Sequence, residues 1–520
     1  MLSPADPLDT SGCVLGIDLG SSTVKAVLVT VETKKQLISL SKAHLADLSD
    51  LPPGHHEQSI LSIFDALVKC LEEVFAFEIG AHYFPLVKAV VVSCQMHGCC
   101  LWHSGHLRNQ FAGLSEPMSQ IFRTLAADER KSRHLDNSGN DAAPAALISP
   151  LITWQDQRLT ADTQLMEFLS LKAANGAGSP CRPGYGTGSL LWLHKHHPDR
   201  LGFYDSAGSV GDLLISILCD LPVPIMSDQL AHSFGCFDTQ QGSFQLDDLP
   251  EPISRLLPKV APAGTCLGKL ARSFCGIPQG TPVTNCLGDF QATVYAQAQS
   301  KSAILNISTS AQLSFILPPT TNSPRSLTFP PAVEVWPYFE GQRVAVAASL
   351  NGGNVLDRFV LMIQSWMLDI TGQSISAETI WESITSTLSQ SLEYLKTVED
   401  DGIRLCPRLF GERFADEAGS SFSVSGLRGT TDLSLARTVW RIAGSIVENM
   451  CAVMLPPKVL IEWDVRRVLL AGQASKPWYQ IAAQKLYEPY GIEVATAGQE
   501  AAAFGCALLG CNIVEKLEDS

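Results

Sequence analysis

The stretch Cys13-Val-Leu-Gly-Ile-Asp-Leu-Gly-Ser-Ser-Thr-Val-Lys-Ala-Val-Leu-Val29 decides the fold. Two apolar runs flank a short turn that carries Asp18, Gly20, Ser21, Ser22 and Thr23. That is the pattern of a β-hairpin with a small, hydroxyl-rich tip. Such a tip can wrap phosphate oxygens, because glycine lets the backbone come close and successive N–H dipoles converge on an anion. The carboxylate of Asp18 would repel phosphate unless a cation stood between them, which points to Mg²⁺. An ordinary hairpin fits these residues equally well, so the choice falls to the rest of the chain.

A second segment resembles the first. From Ala303 the chain reads Ala-Ile-Leu-Asn-Ile-Ser-Thr-Ser-Ala-Gln-Leu-Ser-Phe-Ile-Leu317, so that Ile17-Asp-Leu-Gly-Ser-Ser22 lies against Leu305-Asn-Ile-Ser-Thr-Ser310. Both are strand, polar residue, small hydroxyl turn, strand. The repetition predicts two related domains that face each other, their hydroxyl turns gripping one polyphosphate from two sides.

The 520 residues suffice for two or three domains with full cores, and 46% hydrophobic with 17% charged residues is the balance of a folded chain. A net charge of -15 argues against nucleic acid or an anionic membrane as a main partner. A phosphate ligand must then be held by local dipoles and a metal. No apolar run approaches the ~20 residues that span a bilayer. Residues 1–12 read as a short disordered lead, and 512–520 as an acidic, frayed tail. Fifteen scattered cysteines without Cys-x-x-Cys spacing read as reduced thiols of a cytoplasmic protein. All twelve histidines lie between His44 and His232, so the C-terminal half has no histidine base.

Helical spacing over 60–76 precedes a buried strand at 87–93, which ends in Cys94-Gln-Met-His-Gly98. Ligands collect at such C-terminal strand ends in α/β sheets. Residues 114–150 read as a polar surface insertion, after which Asp156 and Arg158 follow a short apolar run. A helix over 184–197 ends in His194-Lys-His-His197, a basic terminus that the helix dipole favours. Further on, 211–221 reads as a helix opened by Asp212, Met226-Ser-Asp-Gln229 as a loop, and 283–292 as a strand running into a helix at Asp289. In the second half a strand at 344–350 leads to Asn351-Gly-Gly-Asn354 and a helix over 355–370. Another helix spans 430–455. A strand at 468–470 turns at Ala471-Gly-Gln-Ala-Ser475 into a helix over 477–487, and a last helix covers 500–509. The alternation makes the chain α/β. Domains are expected at 13–297 and 298–511.

Phosphoryl transfer to a hydroxyl needs a phosphate cradle, a metal and an acceptor held near a base. Gly20, Ser21, Ser22 and Thr309 are the cradle candidates. Asp289, beside Gly288 at a strand-to-helix junction, is the candidate base; a plain capping aspartate is the alternative its local pattern allows.

Taken in order, Asp18-Leu-Gly-Ser-Ser-Thr-Val-Lys25, Gln95-Met-His-Gly98, Thr153-Trp-Gln-Asp-Gln-Arg158, Gly288-Asp-Phe-Gln-Ala292, Ser308-Thr-Ser310, Asn351-Gly-Gly-Asn354, Gly472 and Glu500-Ala-Ala-Ala-Phe-Gly505 resemble the motifs of the FGGY carbohydrate kinases. The resemblance covers about residues 13–511. It implies two actin-like (ribonuclease H-like, hexokinase-type) domains with an interdomain ATP and sugar cleft, whose closure excludes water. Asp289 would be the general base, and Asp18 with Asp289 would hold Mg²⁺. Gln95, Met96, His97, Asp156, Arg158 and Asp289 would bind a ketose, with a structural ion pair the other reading of Asp156 and Arg158. Gly20, Ser21, Ser22, Thr23, Lys25, Ser308, Thr309, Gly352, Gly353, Gly472 and Gln473 would bind ATP, the glycines letting the backbone approach the nucleotide.

Met226-Ser-Asp-Gln229, Leu305-Asn-Ile-Ser-Thr-Ser310, Ala347-Ala-Ser-Leu-Asn-Gly-Gly-Asn-Val-Leu356 and Gly411-Glu-Arg413 are similar to one branch of that family. That likeness implies transfer of phosphate to O7 of sedoheptulose. Ser308, Ser310 and Ala471 stand where the family often has glycine, which bears on the adenine contacts. Xylulose or ribulose as acceptor, a catalytically weak nucleotide-binding regulator, and an actin- or chaperone-like ATPase are the competing readings. The expected state is a monomer or homodimer.

Overall fold

In the computed structural model, residues 12–111, 116–126, 146–174, 178–245, 249–318, 329–397, 402–412, 421–427, 434–498 and 502–518 are described. The chain divides into two compact units. One comprises Met1–Ala296, Pro337–Gly341 and Ala501–Ser520, the other Gln297–Trp336 and Gln342–Glu500.

The first unit is built on the predicted hairpin. Strand β1 (Cys13–Leu19) pairs antiparallel with β2 (Thr23–Thr30), Cys13 opposite Thr30 and Leu19 opposite Val24. β3 (Gln36–Ala43) extends the sheet antiparallel beyond β2. On the far side of β1 lies β4 (Val87–Cys94), parallel to it. Beyond β4 come β5 (Cys266–Lys269) and β6 (Pro282–Thr284), giving the order β5-β6-β4-β1-β2-β3, while the short β7 (Leu287–Gly288) also pairs with β4. Successive residues of β1 and β4 are buried on both faces, which is why both read as near-continuous apolar runs.

Helix α1 (Ile60–Ala76) has the predicted bounds, is capped by the Ser59 side chain, and packs on β2 and β3. Helices α2 (Val210–Leu218), α3 (Asp228–Phe234) and α4 (Asp289–Gln297) follow. The actual cap of α2 is Ser209, in a reciprocal capping box with Asp212.

The second unit repeats the plan. β8 (Ser302–Ile307) and β9 (Ala311–Ile316) form the second hairpin, Ala303 opposite Phe315 and Ile307 opposite Ala311. With β10 (Val333–Pro337), β11 (Arg343–Ser349), β12 (Arg467–Gly472) and β13 (Glu493–Thr496) the order is β10-β11-β9-β8-β12-β13. β11 is antiparallel to β9, and β12 is parallel to β8. Each unit therefore has a hairpin, an antiparallel strand beyond its second member and a parallel strand beyond its first. Helices α5 (Gly353–Thr371), α6 (Leu435–Glu448) and α7 (Pro477–Tyr487) belong to this unit. Their apolar residues join Leu305, Leu313 and Leu470 in its core.

Four expectations are corrected. Met226-Ser-Asp-Gln229 is a short strand, Ile225–Ser227, leading into α3, because the Ser227 side chain accepts the Leu230 N–H and starts a helix. Part of the supposed surface insertion is helical at 118–126 and buries Met118, Ile121 and Phe122. The last helix, Ala502–Glu518, runs well past residue 509, and its end is tied down: Lys34 Nζ reaches Asn512 at 2.7 Å and Glu515 at 3.2 Å. It also packs on β1 and β4 of the first unit instead of the second. Small residues allow this approach: a methyl on Gly16 would collide with the Ala503 carbonyl, and one on Gly510 would sit 2.9 Å from Val91 Cγ2. The lead at 1–11, residues 127–145 of the insertion, Arg413, Asp432, Glu500, Ala501 and the terminal 519–520 lie outside the described residues.

Candidate active site

Asp18 lies near the end of β1, opposite Lys25 on β2 and Ser93 on β4. The Ser93 hydroxyl donates to Asp18 Oδ1 at 2.9 Å. Burial pushes the Asp18 carboxyl up to about 6, while the Ser93 hydrogen bond and the Lys25 charge pull it down. Leu287 of β7 pairs with Ser93, and the next residue but one is Asp289, the first of α4. Its Oδ1 accepts the Phe290 N–H at 2.8 Å. Burial, and then the negative charge of Asp18, raise Asp289 to about 8. Two half-buried carboxyls, the second raised in part by the charge of the first, form a site suited to a cation and to a base stronger than an ordinary aspartate.

The hairpin tip beside this pair is tight. Gly20 N–H donates to the Thr23 carbonyl at 3.0 Å, and His44 ties the tip to the following segment through the Gly20 and Ser22 carbonyls. Ser22 is exposed, while Gly20, Ser21 and Thr23 are half-buried. Behind the tip is a buried amide network that the sequence reading missed. Gln58 Nε2 donates to the Ser21 carbonyl and to Asp47, each at 2.8 Å, and Gln58 Oε1 accepts from Gln95 Nε2 at 2.9 Å. Trp154 Nε1 donates to Ser21 Oγ at 3.0 Å. Gln95 therefore faces the phosphate-type turn and is 2% exposed. The only sequence signal for Gln58 was a polar Glu-Gln pair directly before a helix cap.

His97 follows Gln95 and Met96 at the end of β4, with φ of 72°. Its ring stacks on Tyr185 at 4.2 Å, and its Nδ1–H donates to the Ser233 carbonyl of α3 at 2.8 Å, which sets the tautomer. Met96 is buried against Gly288.

Asp156 and Arg158 form the ion pair that was one of their two readings. Arg158 Nη2 donates to Asp156 Oδ2 at 2.8 Å and to Glu57 Oε1 at 2.6 Å, and Arg158 Nε to Asp156 Oδ1 at 2.9 Å. Asp156 also accepts the His56 N–H at 2.7 Å, and the guanidinium lies 5.1 Å from the Trp192 ring centre. All three charged groups are buried.

In the second unit Ser308 and Thr309 are exposed at the tip of the β8–β9 hairpin. Their carbonyls are held from behind: Ser308 accepts the Gly353 N–H at 2.7 Å and Thr309 the Asn354 N–H at 3.2 Å. A methyl on Gly352 would collide with the Ser310 backbone, and one on Gly353 would lie 2.7 Å from the Ser308 carbonyl. At Gly472 (φ 60°) a methyl would lie 2.6 Å from the Ile307 carbonyl. These three glycines thus meet their own hairpin, a closer reason for glycine than approach to a ligand. Gln473 opens the short turn that follows β12.

Among the described residues no group of three or more His, Cys, Asp or Glu side chains could enclose a metal. Asp18 and Asp289 fit an ion held by few protein ligands and mostly by substrate and water, the habit of Mg²⁺. No helix among the described residues is long and apolar enough to cross a membrane.

Residues 140–296 match the N-terminal domain of the FGGY family of carbohydrate kinases. The sedoheptulokinase of Mus musculus is 33% identical over 508 residues, covering 95% of this chain and 96% of that protein. Among solved structures, Plasmodium falciparum glycerol kinase with ADP superposes with a TM-score of 0.70 at 14% identity, covering 98% of this chain and 93% of that one. A ligand-bound xylulose kinase from Lactobacillus acidophilus gives 0.68 at 15%, covering 97% and 90%. The fold is the two-domain, actin-like α/β architecture of sugar kinases, and the protein is a phosphotransferase acting on a carbohydrate. The chain belongs to the FGGY family of carbohydrate kinases.

Proposed function

We propose that the protein transfers the γ-phosphoryl group of ATP to O7 of sedoheptulose, with Asp289 as general base. The observation that carries the mechanism is the half-buried Asp289 carboxyl, raised beside Asp18 next to a hydroxyl-rich turn. The substrate rests on the name and identity of the mouse relative. In the reaction the C7 hydroxyl gives its proton to the Asp289 carboxylate as its oxygen bonds to the γ-phosphorus, and the bond from that phosphorus to the bridging oxygen of ADP breaks. Burial raises the proton affinity of the Asp289 carboxylate, which beside a cation would stay ionised and able to accept the C7 proton.

Mg²⁺, when bound by Asp18 and Asp289, neutralises charge on the phosphates. Gly20 to Thr23 offer backbone N–H groups and hydroxyls to phosphate, and Lys25 adds positive charge opposite Asp18. In the second unit, Ser308, Thr309 and Gln473 are proposed to contact the nucleotide, and Gly352, Gly353 and Gly472 to act by admitting the close packing that shapes that hairpin. His97 is the member of the Gln95–His97 segment proposed to meet the ketose, with Gln95 bracing the hydroxyl turn and Met96 packing on Gly288, while Asp156 and Arg158 act from behind by holding the segment at 56–58. Fifteen cysteines, free in the structure, support work in a reducing compartment, the cytoplasm.

The test is ADP release over a panel of sedoheptulose, xylulose, ribulose and no sugar. Sedoheptulose should give the highest kcat/KM, and equal or better turnover with a pentulose would overturn the substrate. In Asp289→Asn, kcat should fall by roughly 10²–10⁴ while sedoheptulose still binds by calorimetry. Undiminished turnover in that variant would overturn the mechanism.

A further inference from the structure

The candidate base projects from a junction that must itself be fixed, and one buried side chain outside the predicted site does so. Gln229 is the second residue of α3 and is 0% exposed. Its Oε1 accepts the Gly288 N–H at 3.2 Å. Strand β7 is only two residues long, so its backbone has little ladder to hold it. The opposite side of Gly288 is closed too: a methyl there would collide with Gln291 Oε1 and lie 2.9 Å from Met96 Sδ. Gly288 is thus clamped between Gln229 on its N–H and Gln291 with Met96 against its Cα.

The other end of the Gln229 amide carries the argument further. Gln229 Nε2 is buried and has no hydrogen-bond partner among the described residues, and the same holds for Gln291 Oε1. A buried, unsatisfied donor costs free energy that leucine or methionine at this position would avoid. Packing alone therefore does not account for glutamine here, whereas the oxygen on Gly288 does. Helix α3 is itself anchored, through Ser227 at its cap and through Asp228 Oδ1, which accepts the Ala263 N–H at 3.0 Å. One turn on from Gln229, Ser233 holds His97. A single short helix thus steadies both the base junction and the loop that faces the sugar.

We infer that Gln229 is a positioning residue for Asp289, fixing the peptide from which the carboxylate projects; this rests on the reading of Asp289 as base. The test uses the full chain with Gln229→Leu and Gln229→Met, measuring kcat, KM for sedoheptulose, KM for ATP and Tm. Misplacement of the base predicts that kcat falls ~10-fold or more. Both KM values should stay within about 2-fold of the parent, since the binding groups are untouched. Tm should change little, because the variants remove the unpartnered Gln229 Nε2 but leave the buried Gly288 N–H without its acceptor. An unchanged kcat, or a loss of activity that merely follows a lower Tm, would overturn the inference. If Asp289→Asn kept full turnover, the base assignment itself would fail whatever the Gln229 variants did. If Asp289→Asn were inactive and Gln229→Leu fully active, only the positioning role would fall.

Discussion

Asp212 is a buried acid with a structural task. Its Oδ2 accepts the Ser209 N–H at 2.9 Å and the Ser209 hydroxyl at 2.7 Å, while Oδ1 has no partner among the described residues. Burial raises its carboxyl to about 7, against an ordinary value of ~3.9 in the unfolded chain. The folded state holds this proton more tightly than the unfolded state does. Its contribution to stability is therefore complete at low pH and is lost as pH rises from about 4 to about 7. Asp212→Asn, which keeps an acceptor for Ser209 but cannot ionise, should flatten Tm against pH across that window. Calorimetry at several pH values checks it, and a slope unchanged from the parent would contradict the assignment. Asp228, also raised by burial, titrates in the same sense, so the slope is reduced and not abolished.

At the scale of elements, each hydroxyl turn is a thin tip that depends on what stands behind it. Behind Ser308 and Thr309 stands the start of α5, close enough that Gly352 admits no side chain. Gly352→Ala should shift the turn, lower Tm by several degrees through overpacking of about 1–3 kcal/mol, and raise KM for ATP more than KM for the sugar. Steady-state kinetics with each substrate varied in turn will check that asymmetry.

The elements legible in the sequence were those whose cause is local. The 60–76 helix has its apolar spacing and its Ser59 cap within its own residues, and both hairpins carry their turn chemistry between their strands. Asp289 was legible because glycine and aspartate at a strand-to-helix junction form a compact local pattern. Helix α3 was not, since its seven residues are too few to display a period and its stability comes from a cap and from contact with Ala263. The Glu57–Arg158 pair and the Gln58–Gln95 amide bond join residues far apart in the chain, and one sequence carries no signal for such partners. The small residues of the C-terminal helix announced close packing without saying against what.

For the whole molecule, charge sets the terms on which an anionic substrate arrives. With a net charge of -15, the long-range field repels ATP, and capture falls to short-range N–H groups, Lys25 and a metal. Added salt should therefore speed nucleotide association. Between ~10 mM and ~150 mM KCl the screening length shrinks from roughly 30 Å to 8 Å. Stopped-flow binding of a fluorescent ATP analogue should show the rate rising over that range, and a falling rate would mean that a local positive field governs approach.

The C-terminal helix has a consequence for biosynthesis. The sheet of the first unit begins at Cys13, yet the helix that covers β1 and β4 is made of residues 502–518. At translation speeds of about 5–20 residues per second, that sheet, whose last strand ends at Gly288, emerges from the ribosome roughly 10–40 seconds before its last layer exists. Through that interval Val14 and Val91 lack their final neighbours, and the nascent chain depends on chaperones or on its own slowness to avoid sticking. The order of synthesis and the order of assembly are thus reversed: the unit that is begun first is finished last.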